Sequence, residues 1–533
     1  MNLCMKRIFM FLGVMLFFLS SVLAQSLAGF QTAHIGKQVK EFSLDSINLS
    51  SPLDYYLSRA WVMSSGKRKH WTDISTFKFS FDNNAPDEKV SDASRSRILN
   101  EHIDSIVSYR DSVAIIVTHN MGEPYIFCNY CWIEDGRWVN GGQGLVNHSA
   151  EISKELQQKL LRSYANLKRL HLIRKLPASA KPFADFLGQV TQSPEAFLFD
   201  MLKSHKLVIN GEYHRRKVSW DMLKRLIALP GFADVAGAVF MELPSWCQPK
   251  MDAFMRADEL CGEMVLDIFR EEQIYGWWDR GEYEFLCSLW HLNHRLPEEK
   301  RIKVVLADFQ LPFSRIASHD EFVAEDSVSE DRNTHMADVI CKWFAEQRDS
   351  RSALFLVGCA HAYKTSVPGI ASAPDGMRPS RTAGAQLAER LGMENVFTVF
   401  QHVLTSDNGG NNKSLIRGGV FDKAFELNGN RAVGFALKDS PFGKEPFDGI
   451  YEMKFDAEAG TYADNFDGYL FLHPLADEPK AIPLTEVFSD KFVEEMKRRA
   501  RYMGNGERKG IWFGCTADEL TKEYIVETLL EED

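Results

Sequence analysis

The sequence predicts an α/β protein. A parallel sheet flanked by helices forms its middle, a small α+β domain precedes it, and a C-terminal extension packs on it. Three observations lead there. Between about residues 193 and 403, continuous Val/Ile/Leu/Phe runs alternate with longer helical patterns, as in a sheet buried on both faces. Before them, one helix-like segment is followed by alternating, aromatic stretches with turn residues between, which implies helix plus antiparallel strands. After them, the Gly/Asn-rich loop Asp407–Lys413 opens a region of mixed strands and turns.

The N-terminus reads as an export signal. Lys6 and Arg7 form a basic start, Ile8 to Leu19 are almost wholly apolar, and Val22 and Ala24 stand where a signal peptidase reads small or apolar residues. The apolar run is short for a membrane span of about 20 residues. Cleavage is expected after Ala24, placing the chain in the periplasm or outside the cell. Boundaries follow at 25–182, 183–403 and 404–533.

In the first domain, Pro52 to Met63 is helix-like. Val113–Thr118, Tyr125–Ile133 and Arg137–Val139 read as strands, separated by turns at Asn120-Met121-Gly122 and Asp135-Gly136. A charged amphipathic helix over Ala150–His171 and a linker from Leu176 to Pro182 close it. The middle domain is expected to hold strands at Lys206–Asn210, Val235–Met241, Ile302–Ala307, Ala353–Val357 and Val396–Phe400. Helical patterns cover Val218–Leu229, Met251–Ile274, Glu282–His294, His335–Gln347 and Thr382–Leu391. A last helix is expected at Ser489–Tyr502.

Charge narrows the partners. The formal net charge is −11, and removal of Lys6 and Arg7 with the signal takes it to −13. An acidic chain without a Lys/Arg block argues against nucleic acid and against anionic membranes. A small-molecule substrate is the expected partner, and no transmembrane segment is expected after cleavage. Eight cysteines remain beyond Cys4, too sparse for a disulfide framework in a chain this long. Cys128-Asn129-Tyr130-Cys131 reads as half-buried core thiols or one local disulfide.

Chemistry concentrates at one end of the middle sheet. Ligands of open α/β sheets bind beyond the strand carboxyl ends, so the residues just past each strand carry the most information. The first strand runs into Gly211-Glu212-Tyr213-His214 and the second into Glu242-Leu243-Pro244. The third ends in Asp308 and the fourth in Gly358-Cys359-Ala360-His361. Glu212, His214, Glu242, Asp308 and His361 thus gather at one edge. A histidine whose second ring nitrogen meets a carboxylate can take a proton from water, titrating near or somewhat above about 6.5. The same set could hold zinc or manganese, and residue types alone do not separate these readings. No Gly-x-Ser-x-Gly elbow is present, which disfavours a serine hydrolase. Singly, each residue also fits a plainer role: a loop histidine, an ion-pair partner for Glu242, a loop anchor for Asp308. His291 and His294 read as helix positions beside Trp290 rather than as a ligand pair.

The middle region resembles the superfamily joining erythromycin esterases, ChaN-like haem-binding lipoproteins and Tiki-type metalloproteases. The matching pieces, in order, are Gly211-Glu212-Tyr213-His214, Phe240-Met241-Glu242, Leu289 to Asn293, Ala307 to Gln310, Glu330 to Ala337, and Gly358 to His361. Gly434 to Leu437, Ser440 to Gly443 and Phe466 to Tyr469 resemble tail segments of esterase-like members. The resemblance implies that His214 activates water beside Glu212 and Glu242, that His361 is the second active-site histidine, and that Arg332 holds a carboxylate or oxyanion. Arg215, Arg216 or Lys217 would serve as the family's arginine after the histidine, with Asp308 in the substrate site. Only Tyr213 separates Glu212 from His214, where the esterases have two residues, a spacing nearer the haem-binding branch. The implied function is an exported hydrolase of esterase or lactonase type without a cofactor. The alternatives are a haem or iron protein ligated by His214, Tyr213 or His361, and a metal-dependent hydrolase with Glu212, His214, Glu242 and His361 on a divalent ion.

Overall fold

The computed structural model describes residues 30–67, 70–74, 87, 90–109, 113–121, 125–134, 136–147, 179–272, 278–327, 330–347, 349–364, 381–406, 413–447, 460–503 and 515–532. The expected signal segment and the expected helix Ala150–His171 lie outside them. So do Gly122, Asp135, the start of the 176–182 linker and most of the loop after Ser406.

Five strands form an antiparallel meander in chain order: β1 (Phe30–Gln38), β2 (His102–Tyr109), β3 (Val113–His119), β4 (Tyr125–Glu134) and β5 (Arg137–Asn147). Strands β3 to β5 are legible from alternation, whereas β1 and β2 are not. β1 is an edge strand of mostly polar residues, and its register shifts between His34 and Lys37 around Gly36 at φ 63°. Helix α1 (Pro52–Ser65) lays Tyr55, Tyr56, Ala60 and Val62 on one face of this sheet, against Ile103, Ala114, Ile116 and Trp138. Ser51 caps the helix through Asp54 N and Gly66 ends it at φ 69°.

Cys128 and Cys131 are both free and buried. Cys131 belongs to the core under α1, and Cys128 belongs to the other face, whose Val113, Ile115 and Trp132 share a core with the larger sheet. Thiols on opposite faces of a strand cannot pair. Of the two sequence expectations, core thiols stand, fully rather than half buried.

The larger sheet has seven strands in the order β11-β12-β10-β6-β9-β7-β8. They are β6 (Leu207–Glu212), β7 (Ala236–Pro244), β8 (Lys303–Asp308), β9 (Ser352–Gly358), β10 (Val396–Gln401), β11 (Val433–Ala436) and β12 (Gly468–Phe471). All neighbours are parallel except β11 and β12. Side chains alternate strictly between two cores. Val208, Val239, Met241, Leu354 and Leu356 enter one, while Leu207, Ile209, Phe240, Phe355 and Val357 enter the other. Burial on both faces explains why these strands read as continuous apolar runs. The helices that matter below are α2 (Lys217–Ile227), α3 (Arg280–His294), α4 (Arg332–Glu346), the single turn α5 (Cys359–Ala362) and α6 (Ala383–Leu391). Within the expected linker, helix Lys181–Leu187 begins with Pro182 in its first turn, where the missing N–H is not needed.

The tail does more than cover the sheet. β12 pairs in parallel with β10, and Phe400 of β10 meets the rings of Phe447, Tyr462, Phe466 and Tyr469 at 5.2–5.9 Å. No helix among the described residues is long and apolar enough to cross a membrane.

A chain ended after Val403 would bare the β10 edge and the fully buried Phe400. It should therefore be insoluble or lack a cooperative unfolding transition by circular dichroism. A soluble, cooperatively melting truncation would show that β11 and β12 are dispensable.

Candidate functional site

Four neighbouring strands deliver the site. Glu212 ends β6 directly beside Gly358, which ends β9, and Asp308 ends β8 beside Pro244 of β7. Glu242 lies near the end of β7, and His361 sits on α5 just after β9. The order β6-β9-β7-β8 brings all of them to one carboxyl edge.

Glu242 is the centre. Its Oε1 accepts from Arg332 Nη2 at 2.7 Å and its Oε2 accepts from Gly358 N at 2.7 Å. His361 Nε2 lies 3.4 Å from Oε1, and His214 Nε2 lies 4.0 Å from Oε2. Burial works to raise the Glu242 pKa. The His361 ring, the Arg332 guanidinium, the His214 ring and the Gly358 N–H together outweigh it and hold the carboxyl down to about 2.

Arg332 opens α4, where Asp331 caps the helix through Thr334 N. Its Nε and Nη2 donate to Asp308 Oδ1 and Oδ2 at 2.9 and 2.8 Å, a fork on a carboxylate with no exposed surface. Gln310 Nε2 donates to the same Oδ2 at 2.8 Å. Asp308 therefore steers Arg332 from beneath, and its buried carboxylate does not itself face a ligand.

The two histidines have unlike backing. His214 Nδ1 is 2.6 Å from Glu212 Oε1, with Glu212 buried. Burial opposes a charged ring, yet the Glu212 charge and hydrogen bond, with Glu242 adding, overcome it against Arg332 and raise His214 to about 9. The sequence expectation is a histidine near or somewhat above about 6.5; the shift is in that upward direction and larger, which favours the protonated ring at neutral pH. His361 Nδ1 is 2.8 Å from Asn333 Oδ1, a neutral acceptor. Burial lowers its pKa and prevails over the pull of Glu242. The neighbouring Cys359 thiol is pushed up to about 12 by burial and by Glu212 and Glu242, so it is no thiolate nucleophile.

The backbone is tight here. A Cβ on Gly358 would stand 2.7 Å from His214 Nε2 and 3.3 Å from Glu242 Oε2, so only glycine lets β9 pass this close. Arg215 adopts φ 61°, a left-handed turn directly after His214.

The structure thus brings together Glu212, His214, Glu242, Asp308, Arg332 and His361. Lys217 is instead ion-paired with Asp221 on the next turn of α2. The charge of Arg215 bears on Asp279. The buried Arg216 forks onto Glu478 at 2.7 and 2.5 Å. His294 stacks on Trp290 at 3.8 Å, a packing role.

Sequence reasoning missed Asn333 and Gln310, ordinary polar residues with no chemical signature. It also missed an acidic flank. Asp279 caps α3 through Gly281 N at 2.7 Å, and burial raises it to about 6. Glu282 is pushed well above the usual carboxylate range by burial and by Glu272, Glu212, Asp279 and Glu242. The Asp279-x-x-Glu282 spacing at a helix start was its one available signal.

The donors do not fit a metal as arranged. Glu212 and His214 bond each other, and the guanidinium on Glu242 and Asp308 would repel a dication. Among the described residues no group of three His, Cys, Asp or Glu side chains is disposed to hold one.

No family model matches the chain and no curated protein sequence matches it. Among solved structures it is similar to a Bacillus cereus protein at 11% identity, covering 55% of this chain and 97% of that one with a TM-score of 0.38. It is similar to an erythromycin esterase mutant in its open conformation at 12%, 54%, 93% and 0.35 by the same measures. For the haem-binding ChaN of Campylobacter jejuni they are 13%, 40%, 88% and 0.27. Such values transfer no residue role to this chain.

The raised His214 links stability to pH. Its folded value of about 9 exceeds the unfolded 6.5, so its contribution is full below pH 6.5 and is lost as pH rises through 9. The loss is at most about 3 kcal/mol. Urea unfolding of the wild type should weaken over this window, and the decline should largely vanish in Glu212→Gln. Equal declines in both proteins would contradict the assignment.

Proposed function

We propose that the chain is an exported hydrolase of ester or lactone bonds that uses two histidines in opposite proton states and needs no metal. The observation that carries this reading is one ionised carboxylate, Glu242, between two imidazoles at 3.4 and 4.0 Å whose far nitrogens rest on unlike acceptors. Groups whose surroundings push their proton affinities apart supply an acid and a base at one pH. Export is supported by the N-terminal apolar run and its small-residue end.

In this reading His361 is the base. Its Nδ1 hydrogen is committed to Asn333, so its Nε2 lone pair and Glu242 Oε1 are two acceptors facing each other. A water donating to both is positioned as nucleophile. Its oxygen adds to the substrate carbonyl carbon and its proton goes to His361 Nε2. The carbonyl π pair moves onto oxygen, where the His214 imidazolium stabilises it. Collapse restores the carbonyl and breaks the C–O bond, and the leaving alkoxide takes the His214 proton. The His361 proton returns through solvent, restoring His214. The roles implied by family resemblance are thereby exchanged: His214 is the acid and His361 the base.

An activated aryl ester and an aliphatic lactone, assayed with and without chelator, test this. His361→Ala should lose about 10²–10⁴-fold in turnover while folding normally, and chelator should change nothing. Because His361 must be neutral, kcat/KM should fall as pH drops through its depressed value, below 6.5. Because His214 must be charged, it should fall again above about 9. Full turnover by folded His361→Ala, or chelator-abolished activity, would overturn the reading. A Soret band in the purified protein would redirect it to haem.

A further inference from the structure

The oxygen behind His361 can be assigned without reference to the histidine. Asn333 Oδ1 accepts from Ala383 N at 2.9 Å. A backbone amide only donates, so the atom it meets is the carbonyl oxygen of the side chain. The same oxygen lies 2.8 Å from His361 Nδ1, so that nitrogen carries a hydrogen, and in the neutral ring Nε2 keeps its lone pair. Asn333 sits in the first turn of α4, and Ala383 opens α6 behind its cap Thr382. One amide oxygen therefore ties α4, α5 and α6 together beneath the ring.

A carboxylate here would accept both bonds with the same reach. It would also stand at the N-terminal ends of two helices, where negative charge is favoured. Helix electrostatics thus prefer an aspartate, and Asn333 stands there instead. The contrast with His214 supplies the reason, because there the corresponding acceptor is the Glu212 carboxylate.

We propose that Asn333 is a positioning residue that holds His361 as the neutral Nδ1–H tautomer, and that an amide rather than a carboxylate at this position divides the two histidines into base and acid. The proposal rests on the reading of His361 as the base. The charged and titratable groups facing His361 are Glu242 at 3.4 Å and Asp308, which favour the charged ring, and Arg332 and His214, which disfavour it. The Asn333 amide leaves that balance alone, whereas a carboxylate in its place would tip it as Glu212 tips His214.

Long-range ¹H–¹⁵N spectra of histidine-labelled full-length protein, with His361 assigned from His361→Gln, read this directly. In the wild type His361 should be the neutral Nδ1–H tautomer at pH 7.5. Asn333→Asp should raise its pKa by about one unit or more and move the acid limb of kcat/KM upward by the same amount, with turnover recovered at pH 8. Asn333→Ala should give mixed tautomers. An Nε2–H or charged wild-type ring at pH 7.5, or an unmoved His361 in folded Asn333→Asp, would overturn the proposal even if both variants of Asn333 failed elsewhere. Correct tautomers and shifts without any hydrolysis would leave the positioning role standing and sink the hydrolase reading alone.

Discussion

The site depends on keeping one buried carboxylate charged. An unpaired ion in a protein interior is strongly unfavourable, so Glu242 constrains everything within reach. Arg332 must arrive from α4 at 2.7 Å, and Asp308 must hold that guanidinium flat from below. β9 must end in a residue without a side chain so that Gly358 N can approach. The imidazoles then stand on either side of a negative charge whose remaining surface they share. Removal of Arg332 would take the guanidinium from two buried carboxylates at once, leaving Asp308 with Gln310 and Glu242 with Gly358 N and the histidines, so its role is structural and electrostatic before it is anything else.

Around that charge the acceptors decide proton states. Both histidines are partly buried and both face Glu242, so neither exposure nor the central charge sets them far apart. The difference lies behind the rings, in a carboxylate at 2.6 Å for His214 and an amide oxygen at 2.8 Å for His361. Two bonds of nearly equal length with unlike acceptors give opposite outcomes.

Much of this was legible in the sequence, for identifiable reasons. A sheet buried on both faces writes itself as apolar runs, and the residue after each run falls at the ligand edge, so Glu212, Glu242, Asp308 and His361 could be placed before any coordinates. The polar edge strand β1 has no such pattern. The strands β11 and β12 are four residues each, too short for periodicity to separate from turns. Lys217 is near the site in sequence, but a partner four residues on along α2 takes its charge. Asn333 reads as one more polar residue at a helix start, because its importance lies in what it lacks, a charge. Proton states depend on distances of a few ångströms, which residue types do not encode.

The central claim is that Glu242 stays ionised in the folded protein far below the ordinary carboxylate range. Side-chain carboxyl ¹³C spectra of glutamate-labelled protein, with Glu242 assigned by difference from Glu242→Gln, measure this most directly. The account predicts a Glu242 resonance that remains that of a carboxylate at pH 4, its midpoint near 2. A Glu242 signal titrating at or above 4.5 in folded protein would contradict it, and with it the arrangement of both histidines around a permanent charge.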